Sequence, residues 1–339
     1  MRRCRNNTIT IYLIWAIILA FLFAANLFWG SVSIPVSAVV DILLGGDGGN
    51  EGWQLIILEM RLPQALTAML AGMALSVAGL LLQTLFNNPL AGPEVLGINS
   101  GAGVGVAIVM LLLQGVFLQG LVGYMAVLSG AFAGALFITA VVVLLARMLS
   151  NNIYLLITGL SVSYLASSVI SLLNYFATAE GVHSYLVWGM GSFGAVSLVQ
   201  LPFFSLVIVL FLFLAILMVK PLNAILLGDN YAKNLGVDTG RVRLLLLFVV
   251  GALAATVTAF CGPIAFIGLA VPHLARLTVG TSNHRLLLPV AMLLGGSVTL
   301  LCNLVCQLPG ERGLLPLAAI TPLVGAPVII YVVLKDRFR

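Results

Sequence analysis

The chain has 339 residues, of which 62% are apolar and only 7% charged; its mean hydropathy is +1.19 and its formal net charge +5. Soluble domains carry about 25% charged residues, so a water-soluble fold is excluded and the apolar surface must face lipid. The continuous apolar runs exclude a transmembrane barrel, which needs alternating strands.

In chain order, Met1–Thr8 followed by an apolar run over Ile9–Trp29 reads as an uncleaved first span. The run is long for a signal peptide and no small-residue cleavage site follows it. Residues 30–54 are acidic (Asp41, Asp47, Glu51) without a cation, and Ser33 with Pro35 predicts a short amphipathic helix there. A second span starts at Arg61-Leu62-Pro63-Gln64 and runs to Phe86. A third runs from Pro93-Glu94 to Leu113, with Glu94 suited to the positive end of a helix. Spans over 119–147 and 153–174 follow, joined by a tight turn at Ser150-Asn151-Asn152. A polar, glycine-rich segment over 175–200 leads to a sixth span over 201–219. The last four spans are expected over 242–260, 264–279 (broken by Pro272), 286–306 and 314–334. The whole reads as one all-α polytopic membrane domain over 1–339 with about ten transmembrane helices.

The stretch KPLNAILLGDNYAKNLGVDTGRVR (220–243) interrupts this apolar chain with four cations and two acids. Loops beyond about 12–15 residues usually carry function, and this one reads as a platform on which another protein acts. Ten spans place both termini on one side. Thirteen of the fifteen cations then fall on the platform's side, leaving Arg61 and Arg312 opposite, so that side is cytoplasmic by the positive-inside rule.

Chemistry-bearing groups are sparse. Cys4, Cys261, Cys302 and Cys306 form no metal pattern, and His183, His273 and His284 are far apart, so no metal site and no catalytic residue is expected. Every acid falls at a predicted span end or in a loop, against the intramembrane charge that ion-driven carriers need. No phosphate-binding GxxxxGK[ST] loop exists. Energy must come from another chain. A secondary carrier or membrane-embedded enzyme are the competing classes.

Five stretches carry a family resemblance: RLPQALTAMLAGMALSVAGLLLQTLFNNPLAGPEVLGINSGAGVG (61–105), WGMGS (188–192), NAILLGDNYAKNLGV (223–237), GPIAFIGLAVPHLARLTVG (262–280) and LPLAAITPLVGAPVIIYVVLKDR (315–337). Together they resemble FecCD-type permeases, the membrane subunits of type II ABC importers for ferric siderophores, haem or vitamin B12. The resemblance implies a bacterial inner-membrane homodimer, two cytoplasmic ATPase subunits that bind ATP and Mg, an external substrate-binding protein and no nucleic acid. A ferric siderophore is the first expected cargo, with haem and cobalamin as alternatives. Implied coupling residues are Leu222, Gly228, Asp229, Ala232, Leu235 and Gly236. The implied cytoplasmic gate is Ser150–Asn152, and pathway candidates on spans 5 and 10 include Thr158, Ser161, Ser163 and Ser167. Arg61 and Arg312 are the candidates for docking the binding protein. Gln64, Asn303 and Gln307 stand where the family often carries charges. RLPQ…GPEVLG also faintly echoes RVRL…GPIAFIG, as two inverted repeats would.

Overall fold

The computed structural model describes residues 2–112, 120–149, 152–308 and 313–337. Its helices are α1 (Arg2–Phe28), α2 (Val36–Leu43), α3 (Glu51–Leu55), α4 (Leu62–Leu85), α5 (Ile98–Ala107), α6 (Gly120–Met148), α7 (Asn152–Phe176) and α8 (Ala179–Gly189). They continue with α9 (Leu201–Leu217), α10 (Val219–Ile225), α11 (Asp229–Asn234), α12 (Thr239–Cys261), α13 (Ile267–Val279), α14 (His284–Cys306) and α15 (Leu317–Arg337). Among the described residues, six helices are long and apolar enough to cross a membrane, and α9 with α10, bent by 53°, makes a seventh candidate. Three shorter apolar helices, over Ile98–Leu112, Ile267–Val279 and Leu317–Tyr331, match the remaining expected spans.

The centre of the bundle is α4, α12 and α14. The apolar windows of α4 and α12 are 78% buried, against 17% for α1 and α7, so the latter form the outer surface of this single chain. Lipid supplies no hydrophobic force between helices, and close backbone approach at small residues replaces it. A Cβ on Gly72 would strike Thr299 and the Gly295 backbone of α14, and one on Gly251 of α12 would strike Thr139 of α6. Thr299 donates to Gly295 O (2.9 Å) and Thr139 to Ala135 O (2.8 Å). The α4–α14 and α12–α6 contacts are thus the same device used twice.

That duplication extends to two short helices. The chain re-enters after α4 through a 3₁₀ turn (Pro93–Leu96) into α5, and after α12 through Gly262–Phe266 into α13. The two re-entrant loops meet: Pro93 packs on Gly268, Asn99 Nδ2 contacts Ile264 O at 3.5 Å, and the Glu94 carboxyl group accepts from its own N–H and that of Phe266. Gly159 of α7, whose Cβ would lie 2.7 Å from Val95 O, is about 10 Å along that helix from Asn152. Glu94, expected at a span end, therefore lies inside the bundle rather than at its face.

The acidic segment over 30–54 differs from expectation in detail. Helix α2 forms as expected but Pro35, not Ser33, occupies its cap. It closes with Ile57 a small separate core of Ile34, Ala38, Val39 and Ile42. The glycine-rich stretch after α7 holds a helix, α8, which Thr178 caps by accepting from Gly181 N. The following turn is pinned by Ser192 N→Cys261 O (2.8 Å) and Ala318 N→Met190 O (2.9 Å).

Gly79 of α4 packs so closely on α13 that a Cβ would strike the Gly268 carbonyl, backbone against backbone. Gly79→Leu is expected to destabilise the bundle by at least the ~1–3 kcal/mol typical of overpacking and to cut folded yield. Gly189→Ala, with nothing within 4 Å, should leave the melting temperature in detergent unchanged.

Candidate functional site: a coupling platform and an unpartnered polar helix

The expected loop over 220–243 is two short helices and the start of α12. Pro221 sits early in α10, and Gly228 (φ 104°) and Gly236 (φ 81°) supply the left-handed turns that fold α11 back beneath it. Leu222 and Ala232 are fully buried and Ala224 nearly so. These anchor the platform; they do not present a surface. Leu227 (64% exposed), Tyr231 (51%) and Leu235 (59%) point outward beside exposed Asp229, Asn230 and Lys233. Apolar side chains held on the outside of a polar, anchored tip make this face a candidate for contact with another protein. The six sequence-derived coupling residues thus divide: Leu222 and Ala232 inward, Gly228 and Gly236 at turns, Asp229 and Leu235 outward.

A polar cluster that sequence reading missed ties this platform to the core. Asn223 Oδ1 accepts from His284 N (2.9 Å) and lies 2.9 Å from His284 Nδ1; His284 Nε2 lies 2.8 Å from Thr84 Oγ1. Arg276 Nη1 donates to Gln83 Oε1 (2.6 Å), Gln83 Nε2 to Leu269 O (3.1 Å), and His273 Nε2 lies 2.7 Å from Pro89 O. His273 and His284 bridge α13 and α14 to the end of α4 and the turn after it. The partners are 184 and 200 residues apart in sequence, which no local pattern reveals.

Helix α7 is the second feature. Tyr154, Ile157, Ser161, Tyr164, Ser168, Ser171 and Tyr175 repeat at alternating spacings of three and four, on one exposed face. By contrast α9 exposes only apolar groups over its length (Phe203, Leu206, Val209, Leu210, Phe213, Ile216, Leu217), as a lipid-facing helix should. The serine and threonine hydroxyls of α7 donate to their own helix, among them Thr158 to Tyr154 O (2.7 Å), Ser161 to Ile157 O (2.9 Å), Ser163 to Gly159 O and Ser167 to Ser163 O (both 3.0 Å). The face is mildly polar, and near its far end Asn174 Oδ1 lacks a partner among the described residues. Ser161 and Ser167 are exposed and Thr158 half-buried, whereas Ser163 turns inward, where a Cβ on Gly97 would lie 2.9 Å from its hydroxyl. Asn152 opens α7; Ser150 and Asn151 of the expected gate, and Arg312, lie outside the described residues.

Arg61 is not the exposed docking cation expected. It is 5% exposed and its guanidinium donates to Leu27 O (2.9 Å), Phe28 O (3.2 Å) and Val32 O. A π-helical run over Ile56–Arg61 precedes it, and a Cβ on Gly30 would lie 2.7 Å from the guanidinium. The group therefore caps the orphan carbonyls that end α1. Gln64 and Asn303 are also internal: Gln64 Nε2 donates to Asn303 Oδ1 (3.0 Å), Asn303 Nδ2 to Asn26 Oδ1 (2.8 Å), and Asn26 Nδ2 to Leu22 O (2.7 Å) and Leu300 O (3.1 Å). Gln307 is buried, its Oε1 lacking a partner among the described residues.

With this geometry in place, comparison with known proteins is decisive. The FecCD transport family model matches residues 18–335. The chain belongs to the FecCD transport family. The vitamin B12 import system permease BtuC of Klebsiella pneumoniae is 37% identical over 84% of each chain. The BtuC of Citrobacter koseri is 35% identical over 91% of this chain and 93% of its own. A solved structure described as an inward-facing metal-chelate type ABC transporter covers 96% of this chain, at TM-score 0.83 and 29% identity. This FecCD protein is a multi-pass membrane permease subunit of an ABC importer. It is not an enzyme; nucleotide hydrolysis belongs to partner subunits.

Removing the Arg61 side chain strips three carbonyls of a charged donor. Arg61→Ala is expected to lower stability by about 3 kcal/mol, the range of hydrogen bonds to charged groups, read as a fall in melting temperature before any binding protein is added. An unchanged melting temperature would return Arg61 to a surface role.

Proposed function

We propose that this chain forms a homodimer that passes a metal chelate inward between its two copies, powered by two cytoplasmic ATPase subunits that bind ATP and Mg. The carrying observation is the anchored platform: Leu222, Ala224 and Ala232 lock it to the bundle while Leu227, Tyr231 and Leu235 face outward. An ATPase seated there pushes on α10 and so on the ends of α4 and α14. In this reading the platform, both termini and the Ser150–Asn152 gate are cytoplasmic, as the cation distribution supports.

The exposed polar face of α7, with α15, lines the pathway in this reading. Its serine and threonine hydroxyls are satisfied within the helix, so it offers a weakly polar wall with tyrosine rings, suited to a bulky complex that must slide rather than bind tightly. An external substrate-binding protein delivers the cargo, with Arg312 the remaining candidate for docking it. The named relatives carry vitamin B12, which places cobalamin beside the ferric siderophores and haem as the chelates to test. Direct binding of each to the cognate binding protein decides among them.

Leu235→Asp is expected to weaken co-purification of the ATPase subunit about tenfold, as loss of an exposed apolar anchor does; undiminished co-purification would remove the platform from coupling. Uptake into proteoliposomes should require the ATPase and MgATP. Ser161→Ala should leave that uptake within about twofold, because its hydroxyl only bonds its own helix. Ser161→Trp should block uptake while ATP hydrolysis persists, and normal uptake by it would take α7 out of the pathway.

A further inference from the structure

A cavity of about 630 Å³ opens on the flank of the bundle where α9 bends into α10 and the N-terminus of α14 approaches. Its lining combines apolar Ile216, Leu217 and Leu288 with the cations Lys220 and Arg285, which follow Leu217 and precede Leu288 by three residues each. No acid is among its lining residues, and both cations are exposed. Neither appears in an ion pair of the described residues. Its back wall is fixed: Asn223 Nδ2 donates to Asn283 Oδ1 (2.9 Å), and Asn223 and Asn283 take the amides of His284 and Arg285 (2.9 and 3.0 Å). The helix end is therefore already satisfied, and the positive charge offered to a ligand is that of the two side chains. The apolar lining continues the lipid-facing surface of α9, where Leu210, Phe213, Ile216 and Leu217 are exposed.

We infer that this cavity binds an acidic phospholipid, its phosphodiester between Lys220 and Arg285 and its acyl chains along α9 and Leu288. The combination decides the occupant. A free anion would use the cations but leave the apolar lining uncovered; a neutral lipid would cover the apolar lining but leave two cations unmatched. The inference goes beyond the transport reading and depends on it only for the leaflet, the inner one. A lipid here would hold the bend that connects a membrane helix to the coupling platform.

The test uses the full-length protein in nanodiscs of phosphatidylethanolamine with phosphatidylglycerol, against phosphatidylethanolamine with phosphatidylcholine, with bound lipid counted by native mass spectrometry. Wild type should retain phosphatidylglycerol and melt at a higher temperature in its presence. The double variant Lys220→Gln, Arg285→Gln should bind it about thirtyfold more weakly, as two surface cations would give, with an unchanged melting temperature in the neutral nanodisc. Arg147→Gln, an exposed cation outside the cavity, should leave retention intact. Equal loss in Arg147→Gln would mean diffuse surface attraction and would overturn the site. So would stabilisation by inorganic phosphate equal to that by the lipid, or a double variant that keeps its phosphatidylglycerol and loses only the ATPase subunit.

Discussion

A membrane helix that breaks inside the bilayer frees backbone groups that lipid cannot satisfy. Besides the bend between α9 and α10, the described chain breaks after α4 and after α12, and these two breaks seal each other. The Glu94 carboxyl group takes the Phe266 N–H, Asn99 reaches the Ile264 carbonyl, and Thr258 donates to Asn99 Oδ1 (2.8 Å). Phe266 has a left-handed backbone (φ 68°), rare for a bulky residue and costly unless its surroundings enforce it. Here the surroundings are Glu94 on one side and Gly325 of α15, where a Cβ would lie 2.6 Å from Phe266 Cβ, on the other. The crossing fixes where α5 and α13 start, and through them the positions of α7 and α15 on the outside of the bundle.

The sequence revealed the lipid-facing character, the span positions and the platform, because long apolar runs and one charged interruption are local signals. The faint echo between the stretches starting at Arg61 and Arg241 falls on two similar contacts, Gly72 on Thr299 and Gly251 on Thr139. What could not be read is where a polar group points. An arginine at a span mouth has one sequence signature whether it faces water or turns back onto carbonyls 29 to 34 residues earlier. Glu94 follows a proline at the start of an apolar run, the pattern of a surface helix start. Only the fold shows the chain re-entering before the helix begins. The short helices α8, α10 and α11 were hidden in segments whose glycine and charge content resembles loops.

The neutral amides at Gln64 and Asn303 show how a departure from family pattern is accommodated. A lone charge in this buried setting would need a charged partner to offset its desolvation. The amide chain Gln64–Asn303–Asn26 makes the same connection between α4, α14 and α1 with uncharged donors and acceptors, each used in order. With Arg61 clamped to the end of α1, the outer ends of these three helices form one braced unit.

Rigidity at the core and exposure at α7 together constrain how a push on the platform can travel. From α10, contact passes through Asn223 and His284 to Thr84 at the end of α4. The chain that follows holds Pro89, bound by His273 of α13, and then the turn Pro93–Leu96, whose backbone touches Gly159 of α7. Continuity of contact alone does not couple two sites; an element on the route must have two positions that both ends bias. Helix α4 meets α14 backbone to backbone at Gly72 and Gly295, and α12 closes on Thr139 of α6 at Gly251, so these helices offer no second position without loss of those contacts. The turn over 93–96 and the lightly buried α7 are held by fewer such contacts, so under the proposed transport reading it is they, rather than the central helices, that would answer a push on the platform.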